Sequence, residues 1–234
     1  MCGRYRLSRR KEILAEQFDT DFDDLDWEPR YNIAPTQTVA VIRQVAGNHA
    51  RKAAGMRWGL IPSWAADSAG AARTINARAE TAAGKPSFRD PLRKQRCLIP
   101  ADAFYEWRRA AREKQPFCFE VGTGDMFAFA GLWDRWAGPD GQVLETCTIL
   151  TTTPNDLLAD VHDRMPAILR AEDYDPWLDP GMQDVERAVG LLQPYVASKM
   201  RRYAVSTRVN LVTNDGPECC APLELPPTTG LLFG

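Results

Sequence analysis

Prolines at 35, 62, 86, 91 and 100 cut the first half of this chain into short elements. Each removes a backbone donor and clashes with the preceding turn, so long helices are excluded there. Between and beyond these breaks stand apolar runs with strand-like alternation: 38–43, 117–121, 127–131 and 145–152, with 97–107 as a longer strand-and-bend candidate. Helices are expected in three places. Ser8 is positioned to cap one over 9–18, with Ile13, Leu14 and Phe18 on its apolar side. Thr153-Pro154 starts a short one over 155–160, and a third spans 182–200. Many strands, few scattered helices and no βα alternation predict an α+β fold with a curved, mainly antiparallel sheet. No internal repeat and no linker divides the 234 residues, so one domain is expected, with a tail over 227–234.

Charge is balanced in total and divided along the chain. The formal net charge is −2, which on average argues against a wholly basic nucleic-acid binder. Residues 1–11 nevertheless carry Arg4, Arg6, Arg9, Arg10 and Lys11 with no acid. Residues 12–28 carry eight acids and no base, and residues 73–114 carry eleven basic residues against five acids. Folded onto one face, the two basic segments would hold a polyanion; taken singly, such charges read as solvated surface. No apolar run approaches the ~18 residues of a membrane span. The N-terminus lacks the apolar stretch of a secretory signal, so a cytoplasmic protein is expected.

Two histidines, His49 and His162, are too few and too far apart for a multi-histidine metal centre. The six cysteines form no CxxC pair, so neither a zinc ribbon nor a disulfide framework is expected. Cys118 and Cys147 sit inside strand-like runs and read as small buried residues. Cys2 differs, because loss of Met1 would leave it with a free α-amine and a thiol on one residue. Reference pKa values of about 7.7–8.0 and about 8.5 make both partly nucleophilic near neutrality. Arg4 nearby is expected to lower the thiol further. Such a residue condenses with an aldehyde through its amine and then closes a five-membered thiazolidine through its thiol.

Other candidates come from local context. Glu106 lies in FYEW, where partial burial would raise its carboxyl and suit it to proton transfer. Taken alone, it fits better on the wet face of an alternating strand. His162, in VHDRMP, reads as a proton carrier or as an ordinary loop histidine. Asn76 and Arg78 alternate in TINARAET and so share one side of an extended segment, where Arg suits a phosphate fork. Trp64, in the IPSW loop, can stack on a base.

In order, MCGRY, RYNIAPTQ, RWGLIPSW, NARAET, FRDPLRKQRCLIPADAFYEW, TILTT, HDRMPAIL and VSTRVN followed by NDGPE resemble the SRAP family. These are the SOS-response-associated peptidase-like proteins that process abasic sites, and the resemblance runs from Cys2 to about Glu218. It implies a barrel-like sheet and capture of abasic sites in single-stranded DNA as a covalent crosslink. Cys2 would be the nucleophile after Met1 loss, with Glu106 and His162 moving protons and Asn76 holding the Cys2 end and the sugar. Autoproteolytic removal of Met1 and lyase-like incision through the Schiff base are further implied activities. Arg4 and Arg78 match positions near the lesion phosphates, and Asn32, Pro35, Trp64, Tyr105, Trp107 and Thr151 line the same region. No cofactor or metal is implied. Replication-fork proteins are implied as further partners, a monomer is sufficient, and the protein would join the nucleoid when crosslinked. The chain departs from the family pattern at Ala65, at Ala103 and at Leu211-Val212. The rival readings are a cysteine peptidase acting on other proteins through Cys2 and His162, and a non-covalent single-stranded DNA binder.

Overall fold

The computed structural model describes residues 2–44, 50–109 and 114–223. Met1, His49, Arg112, Glu113 and the expected tail lie outside them. In chain order the elements are β1 (Tyr5–Leu7), α1 (Lys11–Phe18), β2 (Thr20–Asp21), β3 (Arg30–Ile33), β4 (Thr38–Gln44) and β5 (Arg51–Trp58). There follow β6 (Asn76–Arg78), α2 (Ala79–Ala82), α3 (Pro86–Lys94), β7 (Arg96–Ala101), β8 (Ala103–Arg109) and β9 (Lys114–Val121). The rest are β10 (Phe127–Ala137), β11 (Val143–Thr152), β12 (Met165–Pro166), β13 (Ile168–Leu169), α4 (Tyr174–Leu178), α5 (Val185–Gly190) and β14 (Met200–Ala204). The expected α+β class holds, with strands dominant and helices short. No helix among the described residues is long and apolar enough to cross a membrane.

Five strands close on themselves. Around the ring β11, β10, β7, β4 and β5 each run antiparallel to the next. A ring of five cannot alternate direction all the way round, so one seam must be parallel. That seam is β5 against β11, with Arg57 opposite Thr146 and Trp58 opposite Cys147. Closure leaves no free edge in the ring. β6 then extends β11 in parallel, with Asn76 opposite Ile149 and Arg78 opposite Thr151.

A second, five-stranded sheet in the order β14–β9–β8–β1–β3 lies against this barrel. Aromatic rings join the two layers. Tyr5 of β1 meets Trp58 and Phe129 edge-on at 5.4 and 5.7 Å, and Phe104 of β8 stacks on Phe119 and meets Phe129. Such pairs contribute ~0.5–1.5 kcal/mol each beyond their area.

The segment read as one strand-and-bend is two strands in two layers. β7 belongs to the barrel and β8 to the second sheet, and Asp102 is the corner between them. Its carboxylate is fully buried and accepts from Arg6 Nε at 2.5 Å and from the backbone and hydroxyl of Ser8 at 2.7 and 2.8 Å. Arg6 also donates to Glu120 on β9, which is held in turn by Arg201 and Tyr203 of β14.

The helix expectations need correction. Ser8 serves Asp102, so α1 starts at Lys11 with no side-chain cap. In place of the helix expected over 155–160, residues 156–161 form consecutive turns: Asn155 Oδ1 takes the Leu158 N–H as a cap would, but the Leu157 carbonyl accepts from the Arg202 guanidinium. The expected helix over 182–200 shrinks to α5, ended by Gly190 and, four residues on, Pro194. Conversely, α3 forms around Pro91, where burial of Phe88, Pro91 and Leu92 outweighs the missing donor. The C-terminal ends of α3 and α4 are tied together by Arg96, whose buried guanidinium donates to five carbonyls, those of Leu92, Arg93, Trp177, Asp179 and Met182. Arg6 and Arg96 are therefore interior scaffolding and contribute nothing to a basic face.

The Asp102 corner has a measurable consequence. Asp102→Ala leaves the buried Arg6 guanidinium short of its nearest carboxylate, and about 3–5 kcal/mol of stability should be lost. Urea unfolding checks this, and a loss below ~1 kcal/mol would show that the corner does not depend on the ion pair.

Candidate functional site

The site forms where the amino-terminal segment, β6, β8 and the 162–164 loop meet. Alternation along β8 places Glu106 on the same face as Phe104, the face that packs on the barrel. Its residue is only 3% exposed, so the wet-face reading is excluded. Tyr105 and Trp107 point the other way, into a small cluster with Cys118, Val205, Val209 and Cys219. Burial pushes the Glu106 carboxyl up to about 7.

Cys2 is fully buried and belongs to the main core. Burial first, and then the negative charge of Glu106, raise its thiol far above the ordinary cysteine range. The expected lowering by Arg4 does not occur through its charge. The Arg4 guanidinium is turned to Asn32 Oδ1 and the Val209 carbonyl, and only its backbone hydrogen bond favours the thiolate. Asn76, at the start of β6, donates from Nδ2 to the Cys2 carbonyl at 2.7 Å. Its buried Oδ1 has no hydrogen-bond partner among the described residues.

His162 follows the 156–161 turns. Its Nδ1 is 3.0 Å from the Arg164 N–H and 2.9 Å from Asp163 Oδ1. The Asp163 charge acts on Glu106, which brings this loop within electrostatic reach of the carboxyl. The loop is anchored by Arg164, whose guanidinium forms a fork with both Glu80 oxygens at 2.8 Å and donates to the Thr151 carbonyl at 2.6 Å. The chain order Arg78, Glu80 in β6–α2 and His162, Arg164 in the loop thus becomes one contact. Sequence reasoning passed over Glu80 and Arg164; the available signal was their opposite charges, each two residues from a candidate already chosen.

The expected DNA contacts divide in two. Arg78 is exposed, Trp64 is 66% exposed, and Arg4, Pro35 and Trp107 are half-buried. Asn32, Tyr105 and Thr151 are fully buried and stand behind this surface. Asn32 spends its amide on the Val209, Leu211 and Asn214 carbonyls, and Tyr105 donates its hydroxyl to the Tyr31 carbonyl. Asp215 takes the Tyr31 and Asn32 N–H groups and pairs with Arg30, pinning the 207–215 segment along β3. Trp107 is held from that segment by Asn210 at 2.7 Å, and Arg4 lies 5.8 Å from its ring. Burial lowers the Arg4 pKa, outweighing the opposing influence of Cys219 and Tyr105. Trp64 borders an apolar hollow of about 400 Å³ lined by Leu60, Pro62, Ala65, Ala71 and Arg73. A larger hollow of about 1180 Å³, lined by Glu16, Asp19, Arg51 and Asp175, contains none of the candidates.

A buried carboxyl poised near neutrality beside a protonated thiol suits proton transfer to a carbonyl substrate. A cationic rim at Arg4 and Arg78 suits phosphate. Among the described residues there is no cluster of three or more histidine, cysteine or acidic side chains with metal-binding geometry.

Residues 1–212 match the family model described as SOS response associated peptidase (SRAP). The chain is 45% identical over 221 residues to abasic site processing protein YoqW of Bacillus subtilis, covering 93% of this chain and 98% of that protein. It is 34% identical to abasic site processing protein HMCES of Gallus gallus, covering 85% of this chain and 68% of that one. A crystal structure of a protein from Bacteroides thetaiotaomicron superposes with a TM-score of 0.86 at 28% identity, covering 95% of this chain and all of that one.

The raised Glu106 carboxyl makes stability depend on pH. The folded chain keeps a proton that the unfolded chain releases at about 4.3, so Glu106 costs stability progressively as pH rises from there towards about 7. The cost above neutrality should be about 3–4 kcal/mol, at ~1.4 kcal/mol per pKa unit, and should vanish in Glu106→Gln. Denaturant melts of both proteins at pH 4.5 and pH 8 measure it; parallel pH profiles would refute the assignment.

Proposed function

The chain belongs to the SOS response associated peptidase family, and on that basis we propose that it captures abasic sites in single-stranded DNA as a covalent crosslink through Cys2. The convergence on Cys2 carries this reading: the Asn76 amide holds its carbonyl, and the Glu106 carboxyl is close enough to act on its thiol.

Hydrolysis of the Met1–Cys2 peptide bond consumes one water and frees the Cys2 α-amine. The amine adds to the aldehyde carbon of the ring-opened deoxyribose, and loss of water leaves a C=N bond. The thiol then adds across it: sulfur bonds to carbon, the proton passes to nitrogen, and the thiazolidine ring closes. From amine, thiol and aldehyde one water leaves, and nothing is oxidised or reduced.

The protonation states fit each step. A carboxyl titrating at about 7 is present in both forms near neutrality, so Glu106 protonates the departing hydroxyl and later receives a proton. The buried thiol rests protonated, which leaves the first attack to the amine and makes ring closure depend on a base at hand. His162 shares this proton traffic, including crosslink reversal. Asn76 keeps Oδ1 for the amine or a sugar hydroxyl, a role its lack of a partner among the described residues supports. Removal of Met1 by the protein itself, and strand incision through the C=N intermediate, use the same groups.

Arg4 and Arg78 hold backbone phosphates, Trp64 and Trp107 stack on bases, and Pro35 lines the path. Asn32, Tyr105 and Thr151 shape it from behind. Phosphate contacts of this kind are blind to sequence and sensitive to salt. Shielding the lesion during replication, with contacts to replication-fork proteins, is the role in the cell.

Incubation with single-stranded DNA carrying one abasic site should give a shifted band on a denaturing gel. The band should disappear in Cys2→Ala and persist in Cys97→Ala, and intact mass should lack Met1. Wild type with Met1 removed but no band would sink the reading; a peptidase or a non-covalent binder gives that result. Glu106→Gln should slow crosslinking by about 10²–10⁴-fold. Arg78→Ala should weaken binding to all sequences and reduce the slope of log K against log salt by about 0.7.

A further inference from the structure

His162 Nδ1 has two neighbours of opposite character. The Arg164 backbone N–H, at 3.0 Å, can only donate, and the Asp163 carboxylate, at 2.9 Å, can only accept. A neutral imidazole carries one proton, and whichever neighbour is held more firmly decides which nitrogen bears it. The two are held very differently. Asp163 is 83% exposed and shares its carboxylate with water. Arg164 is buried, and its side chain is locked by three hydrogen bonds: the two-oxygen fork with Glu80 on α2 and the bond to the Thr151 carbonyl at the end of β11. Its backbone N–H is therefore a fixed donor, while Asp163 can turn away.

We infer that Glu80 and Arg164 are positioning residues for His162: their ion pair fixes the Arg164 N–H against Nδ1 and so keeps the neutral ring's proton on Nε2. His162 would then meet its substrate as a hydrogen-bond donor, leaving the role of base to Glu106. That consequence rests on the abasic-site reading; the tautomer itself does not. The clamp also ties the loop to α2, directly after the Asn76–Arg78 strand, so one ion pair sets His162 relative to Asn76. A guanidinium fork is needed for this, since a lysine in place of Arg164 offers a point charge that cannot grip both oxygens.

The chain has only two histidines, so ring nitrogen signals can be assigned with one His162→Ala spectrum. In ¹⁵N-labelled full-length protein, at a pH well above the ordinary histidine range, His162 should show the Nε2–H pattern. Glu80→Gln and Arg164→Lys should each move its two nitrogen shifts towards each other, as the tautomers mix, while an unchanged backbone amide spectrum away from the loop shows an intact fold. Unchanged His162 shifts in the folded Glu80→Gln protein would overturn the inference, as would an Nδ1–H pattern in wild type.

The kinetic arm uses the abasic single strand. Glu80→Gln should slow crosslinking on the order of tenfold, the scale of a small misplacement at a reacting group. In a His162→Ala background it should add nothing, and full additivity would show that Glu80 acts elsewhere. If wild type forms no crosslink, the proposed function fails, and the nitrogen shifts still decide the positioning role.

Discussion

The corner at Asp102 is the interaction on which the rest depends. A chain leaving a closed barrel for a second sheet must turn sharply in the interior, where unpaired polar groups are costly. Here the turning residue is itself a carboxylate, satisfied by Arg6 and Ser8, and Arg6 carries the network on to Glu120. The pairing registers β8 beside β1, so that Glu106, four residues beyond the corner, faces the barrel close to the amino-terminal segment. Arg6 and Cys2 lie in the same short stretch of chain, and fixing one fixes the other.

Two buried acids in this sheet illustrate how environment assigns a role. Burial is the largest influence on both. At Glu120 the hydrogen bonds from Arg201, Tyr203 and Arg6 overcome it and hold the carboxyl below its ordinary range. At Glu106 burial wins and the carboxyl rises to about 7. Glu120 is thereby a structural anion, whereas Glu106 has the protonation balance that the proposed proton transfer needs, although the two stand on neighbouring antiparallel strands. The same desolvation keeps the Cys2 thiol protonated, so the proposed ring closure calls for a base near it.

Much of this was legible in the chain. Alternating apolar runs identified β4, β9, β10 and β11, because period-two patterning reflects a sheet with a buried face. The FYEW, NARAET and HDRMP segments, with Cys2, marked the groups that converge. The helices were harder to read. Ser8, Thr153-Pro154 and Pro91 each send a local signal, and each is overridden by a partner distant in sequence or by burial. The basic segments also misled in part: Arg6 and Arg96 count as surface charge in a sum, yet they are spent on buried carboxylates and carbonyls.

Residue order alone determined the strand-rich architecture, the absence of a CxxC or multi-histidine motif, and the identity of the candidate nucleophile. Those follow from spacing and chemical type, which are local properties. Tertiary structure alone decided that Cys2 is buried, that Glu106 titrates near neutrality, and that Glu80 grips Arg164 behind His162. Each depends on how far water is excluded and on which charges meet across a fold. Desolvation and long-range pairing are set by the assembled sheets, and no stretch of sequence carries them by itself.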